Sequence, residues 1–160
     1  EHCKFADDEV AETLAQNGTF WVPTHKPTRM SLENPEKVSD EKLRKAEETV
    51  ERQKEVVDRM LENGVRVAMG SDAGTSYNYH GDNLEELELM VEYGIDEETV
   101  LDAATSNAAE LLGIDGEVGY VREGYTADLL VLAGDPLEDV SNWRDQRGII
   151  KNGDFLENSL

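Results

Sequence analysis

The sequence predicts an α/β protein: parallel strand–helix units followed by a β-rich tail. Three observations predict it. Apolar residues recur at steps of three and four through most of residues 7–112, two short β-prone runs alternate with those stretches, and after Gly113 the pattern changes to closely spaced turns and short apolar runs. Strand–helix alternation sets the strands parallel, and parallel units place function at the C-terminal ends of their strands.

Residues 7–16 bring Val10, Leu14, Ala11 and Ala15 onto one helical face, with Asn17-Gly18 as the stop. Residues 19–24 form a β-prone run ended by proline. Pro23, Pro27 and Pro35 crowd the next stretch, so residues 25–35 read as an irregular loop. Ser39 is an expected N-cap, with Asp40 and Glu41 suited to the positive helix end. Leu43, Ala46, Val50, Gln53, Val57 and Met60 then line one face of a long helix closed by Asn63-Gly64. Residues 65–70 read as a strand, with Asp72 just beyond its C-terminal end. Asn83 is expected to cap a helix over 84–93, and further helices begin at Asp96 and after Ser106. In the tail, residues 127–132 read as a strand, and Asn152-Gly153 marks a tight hairpin within 148–156.

Charge excludes several partners. The 160 residues carry 36 Asp and Glu against 15 Lys and Arg, a formal net charge of −21. Nucleic acid binding needs cations to neutralise phosphates, so it is not expected, and neither is an anionic membrane surface. The single Cys allows no internal disulfide and no common thiolate zinc motif. No apolar run approaches the roughly 18 residues of a membrane helix. A cytoplasmic location is expected, and the spread of carboxylates along the chain suggests adaptation to a salty cytoplasm, where the self-repulsion is screened.

The candidate residues sit at strand ends. Asp72 lies in Gly70-Ser71-Asp72-Ala73-Gly74, small neighbours that let a ligand approach its carboxylate. A turn-capping Asp explains that pentapeptide by itself at least as well as a metal ligand or general base does. The Thr24-His25 loop is the second strand-end position. His2 and His80 could be imidazole ligands, although a lone His is more often a satisfied polar or surface residue. His25 reads as a loop residue, Cys3 as a small buried thiol, and the acidic faces at Glu47, Glu48, Glu51 and Glu55 and at Glu85, Glu86, Glu88 and Glu92 as solvated surfaces.

Longer motifs go further. Gly70-Ser71-Asp72-Ala73-Gly74, followed by His80-Gly81-Asp82-Asn83-Leu84 and its helix, resembles the closing part of metal-dependent amidohydrolases. The resemblance is to the imidazolonepropionase-like and Xaa-Pro dipeptidase-like branch. Residues 99–113 are similar to that family's last helix pair, and residues 119–137 to the return into its small β-sandwich. Ile150-Lys151-Asn152-Gly153 resembles its final hairpin, and Glu1-His2-Cys3 resembles the Glu-His-Gly of its sixth strand.

The resemblance implies the C-terminal part of a (β/α)8 TIM barrel, from the end of strand six to strand eight with its helices, followed by part of a β-sandwich. The implied domains are residues 1–113 and 114–160. It implies hydrolysis of C–N bonds, in amides, cyclic amides or peptides, by metal-activated water. Asp72 would be metal ligand and catalytic general base, His2 a metal ligand, and His80 a substrate contact. The implied cofactor is a divalent metal, zinc first, as one or two ions. The family's His-x-His, its strand-four Lys or Glu and its strand-five His have no counterpart here. A C-terminal fragment, inactive alone, is therefore expected, its partner in the parent being a small-molecule or short-peptide substrate. The alternative is a non-catalytic folded remnant in a salt-adapted organism, stable alone or as a homo-oligomer through open strand edges.

Overall fold

The structure, a computed structural model, describes residues 1–156. Six α-helices and a three-stranded sheet follow in the order α1 (Asp8–Gln16), α2 (Lys26–Glu33), α3 (Asp40–Glu62), α4 (Leu84–Glu92), α5 (Glu97–Ala104), α6 (Ser106–Leu112), β1 (Leu129–Leu132), β2 (Gln146–Lys151) and β3 (Asp154–Leu156). The last four residues of the expected 114–160 domain lie outside the described residues.

Local caps set most helix starts. Asp7 accepts a hydrogen bond from the Val10 backbone N–H at 3.0 Å, Ser39 from that of Lys42 at 3.3 Å, and Asp96 from that of Thr99 at 2.9 Å. Gly113 ends α6 in the left-handed conformation, at φ 71°. Asn83 differs from expectation: its side chain makes no cap, and its carbonyl accepts the Glu86 N–H at 3.1 Å instead.

The stretch expected to be an irregular loop contains α2. Pro27 sits in the first turn, where its missing N–H would have had no intrahelical acceptor. The helix start is satisfied from outside. Glu86 of α4 accepts from the backbone N–H of His25 at 2.7 Å and of Lys26 at 2.8 Å.

The two β-prone runs do lie parallel, but their ladder is a single bridge, Trp21 to Val67. Trp21 N–H donates to the Arg66 carbonyl at 2.8 Å, and Ala68 N–H to the Trp21 carbonyl at 2.9 Å. Residues 1–3 join alongside, through His2 N–H to the Val22 carbonyl at 2.9 Å and the Trp21 indole N–H to the His2 carbonyl at 3.0 Å. Close approach of the strand ends needs Gly70, because a methyl there would lie 2.5 Å from Val22 Cγ1. Gly70→Ala is expected to cost about 1–3 kcal/mol by overpacking. An unchanged thermal midpoint would argue that the strands separate freely.

Helices α3, α4 and α5 cover these segments. Val56, Val57, Met60, Leu87, Met90 and Val100 pack with Trp21, Val65 and Val67 in one core, which Trp143 joins from the tail. In the tail, β1 pairs antiparallel with β2 and β2 with β3. The β2–β3 turn is the Asn152-Gly153 pair, both at positive φ (53° and 86°), as the sequence predicts. Among the described residues, no helix is long and apolar enough to cross a membrane.

Candidate functional site

The parallel bridge puts Thr24 and Asp72 beyond the same ends of their segments, and His2 reaches that end from the third. The His2 Nδ1 hydrogen-bonds Thr24 Oγ1 across 22 residues of sequence. All three residues, and Cys3, adopt left-handed backbone: φ is 62° at His2, 51° at Cys3, 50° at Thr24 and 50° at Asp72. Such angles are uncommon outside glycine and gather where a chain is bent to present a group.

The loop after residue 70 is tied from within. Asn78, buried, donates its amide to the carbonyls of Ser71 at 2.6 Å and Asp72 at 3.0 Å, and Thr75 Oγ1 donates to the Asp72 carbonyl at 3.1 Å. These bonds hold the Asp72 backbone and leave its carboxylate exposed, with no hydrogen-bond or ion-pair partner among the described residues. His80 is exposed in the same loop, and a methyl on Gly74 would lie 3.6 Å from its Nε2. Cys3 is half-buried against the core, as a packing thiol would be.

Beneath these strand ends lies a buried polar layer that sequence reading assigned to surface and loop. Glu86, which the sequence places on a solvated face, is fully buried and serves as the cap of α2. Burial pushes its carboxyl up to about 7, against the downward pull of the two backbone N–H groups, Lys4 and Lys26. The Lys26 ammonium, also buried, pairs with Asp82 at 2.8 Å and Glu85 at 3.2 Å. His25, which the sequence places in an irregular loop, is buried between Trp21 and Tyr93, and its Nδ1 lies 2.6 Å from Gln53 Nε2. Burial, helped by Lys4, lowers its imidazole to about 3. The Lys4 ammonium is pushed down by burial, opposed by the carboxylates of Asp72 and Glu86, and it donates to Thr28 Oγ1 at 2.6 Å. Lys4 thus lies electrostatically between the candidate site and the buried layer. A carboxylate three residues into a helix is the one local sign that could have exposed Glu86, and it reads equally well as a first-turn charge.

As a site for a divalent ion, the donor chemistry fits and the donor count is short. An imidazole with its Nδ1 engaged and a free carboxylate are ordinary ligands for such an ion. Among the described residues, however, no group of three or more His, Cys, Asp or Glu is placed to hold one.

Comparison with known proteins identifies the frame. The model of the amidohydrolase family matches residues 1–155. The chain belongs to the amidohydrolase family. A solved Xaa-Pro dipeptidase, with methionine bound in its active site, superposes with a TM-score of 0.86 at 31% identity, covering 98% of this chain and 39% of the other. The ochratoxinase of Aspergillus niger is 29% identical over 152 residues, 93% of this chain and 31% of its own length. An imidazolonepropionase of Rubrobacter xylanophilus is 36% identical over 86 residues, 53% of this chain and 19% of its own length. The chain therefore spans about a third of the length of the first two relatives. The family is one of enzymes, and its fold accounts for the parallel segments and the small antiparallel sheet found here.

Proposed function

We propose that this chain supplies the closing strand ends of a metal-dependent hydrolase that cleaves C–N bonds in a small amide, cyclic amide or short peptide. The observation that carries the reading is the shared end of the parallel segments, where His2 is anchored through Nδ1 and the exposed Asp72 carboxylate makes no hydrogen bond or ion pair among the described residues. Membership of the amidohydrolase family and the likeness to a Xaa-Pro dipeptidase support it. The barrel-type part is residues 1–113, and of the proposed 114–160 sandwich part the described residues end at 156.

In this reading His2 and Asp72 would be the residues of this chain that hold a divalent ion, zinc being the first choice. When bound, such an ion supplies Lewis acidity, acidifying water and polarising the scissile carbonyl. Asp72 takes the proton of the attacking water and returns it to the leaving nitrogen, so no net proton is consumed. His80, exposed in the same loop, contacts the substrate. Two protein donors are fewer than the three or more of an ordinary catalytic site, so the isolated 160-residue chain does not turn over.

In the full-length parent that this reading requires, Asp72→Asn is expected to lower kcat by roughly 10²–10⁴-fold with KM little changed. A kcat within threefold of the parent's would remove Asp72 from the chemistry. Metal-dependent hydrolysis by the isolated chain would refute the view that its site is incomplete.

A further inference from the structure

Thr24 carries a cost that its surroundings are built to sustain. It is a buried, β-branched residue at φ 50°, a left-handed conformation that such residues adopt only where the surroundings impose it. The next two backbone N–H groups, of His25 and Lys26, are clamped by the buried Glu86 carboxylate at 2.7 and 2.8 Å. On the other side, the Thr24 hydroxyl donates to the Pro23 carbonyl at 2.7 Å.

That last bond favours one proton position elsewhere. A hydroxyl has one proton and two lone pairs. With the proton committed to Pro23, Thr24 Oγ1 can only accept from His2 Nδ1, so Nδ1 carries the hydrogen. The neutral ring then has its remaining lone pair on Nε2. The His2 backbone is held on both sides, by the Val22 carbonyl and by the Trp21 indole, so the ring swings from a fixed point and its one hydrogen-bond contact among the described residues is the Thr24 hydroxyl. We infer that Thr24 is a positioning residue that fixes His2 as the Nδ1–H tautomer and presents Nε2 as the free donor at the strand ends. The inference rests on the reading of His2 as a metal ligand for its purpose, but not for its hydrogen-bond content.

The test is long-range ¹H–¹⁵N correlation on the metal-free chain labelled at histidine, at about pH 8.5, where a free imidazole is neutral. The chain has three His, and His2→Gln and His80→Gln assign the signals. The native chain and Thr24→Ser, which keeps the hydroxyl, are expected to show a protonated Nδ1 and a pyridine-like Nε2 at His2. Thr24→Val, close in shape but without the acceptor, is expected to shift His2 towards Nε2–H. Zn²⁺ added as the probe should move the His2 Nε2 signal in the first two proteins and bind at least tenfold more weakly to the valine variant. A native spectrum with the hydrogen on Nε2 overturns the inference whether or not any variant folds. So does a folded valine variant with an unchanged tautomer. If the tautomer is as expected and Zn²⁺ moves no His2 signal, the metal reading under the proposed function falls while the tautomer assignment stands.

Discussion

Glu86→Ala is expected to lower the stability of the chain by about 2–4 kcal/mol. Two backbone N–H groups, of His25 and Lys26, lose their acceptor at once, and each lies against buried residues where water is a poor substitute. An unpaired buried N–H costs about 1–3 kcal/mol. The gain that offsets this is the removal of a carboxyl whose charge the fold disfavours, shown by its rise to about 7. Lys26 retains Asp82 and Glu85 as partners, so the variant does not strand an ammonium ion. Glu86→Gln is expected to lose less, about 1–2 kcal/mol, because its amide keeps one acceptor oxygen. Urea unfolding followed by the fluorescence of Trp21 and Trp143, both in the core, measures the difference. An alanine variant with an unchanged midpoint and slope would mean that α2 does not need its cap.

The pH dependence of stability is the second large effect, and two buried groups set it with opposite signs. His25 falls from 6.5 to about 3 on folding, so the unfolded chain takes up a proton that the folded chain refuses. Its contribution is intact above pH 6.5 and is lost as pH falls towards 3, up to about 5 kcal/mol at 1.4 kcal/mol per unit. Glu86 rises from 4.5 to about 7, so the folded chain holds a proton that the unfolded chain releases. Its contribution is present below pH 4.5 and declines as pH rises towards 7. The two slopes oppose each other between about pH 4.5 and 6.5, leaving a plateau, and below about 4.5 His25 acts alone. Glu86→Gln should abolish the plateau, so that stability falls from about pH 6.5 downwards. His25→Gln should flatten the acid limb. Surface carboxylates such as Asp96, Asp128 and Asp139, held low by hydrogen bonds, titrate in all three proteins, so the differences between curves isolate the buried pair. Parallel curves for the native chain and Glu86→Gln would contradict this account.

What could be read from the sequence was local. Asp7, Ser39 and Asp96 cap helices through atoms three residues away, and Asn152-Gly153 turns a hairpin within itself. The apolar spacing along α3 placed Gln53, Val57 and Met60 on its buried face, because a helix fixes that face by its own period. Glycines flanking Asp72 marked it as open to a ligand, and the longer motifs around it pointed to the amidohydrolase family, which the comparisons then identified. Helix α2 was hidden because its cap comes from Glu86, 60 residues further on, and its proline reads as a breaker when the acceptor is not in view.

The sequence by itself thus determined the family, the helix periods, the tail hairpin and the candidate carboxylate at Asp72. Only the tertiary structure decided which end of which segment meets which. It joined His2 to Thr24, buried Glu86 and His25 in place of a solvated face and a loop, and reduced the paired strands to one bridge. The reason is physical: caps and turns are satisfied within a few residues. The environment that sets a tautomer or a pKa is made by groups brought together from 20 to 60 residues apart.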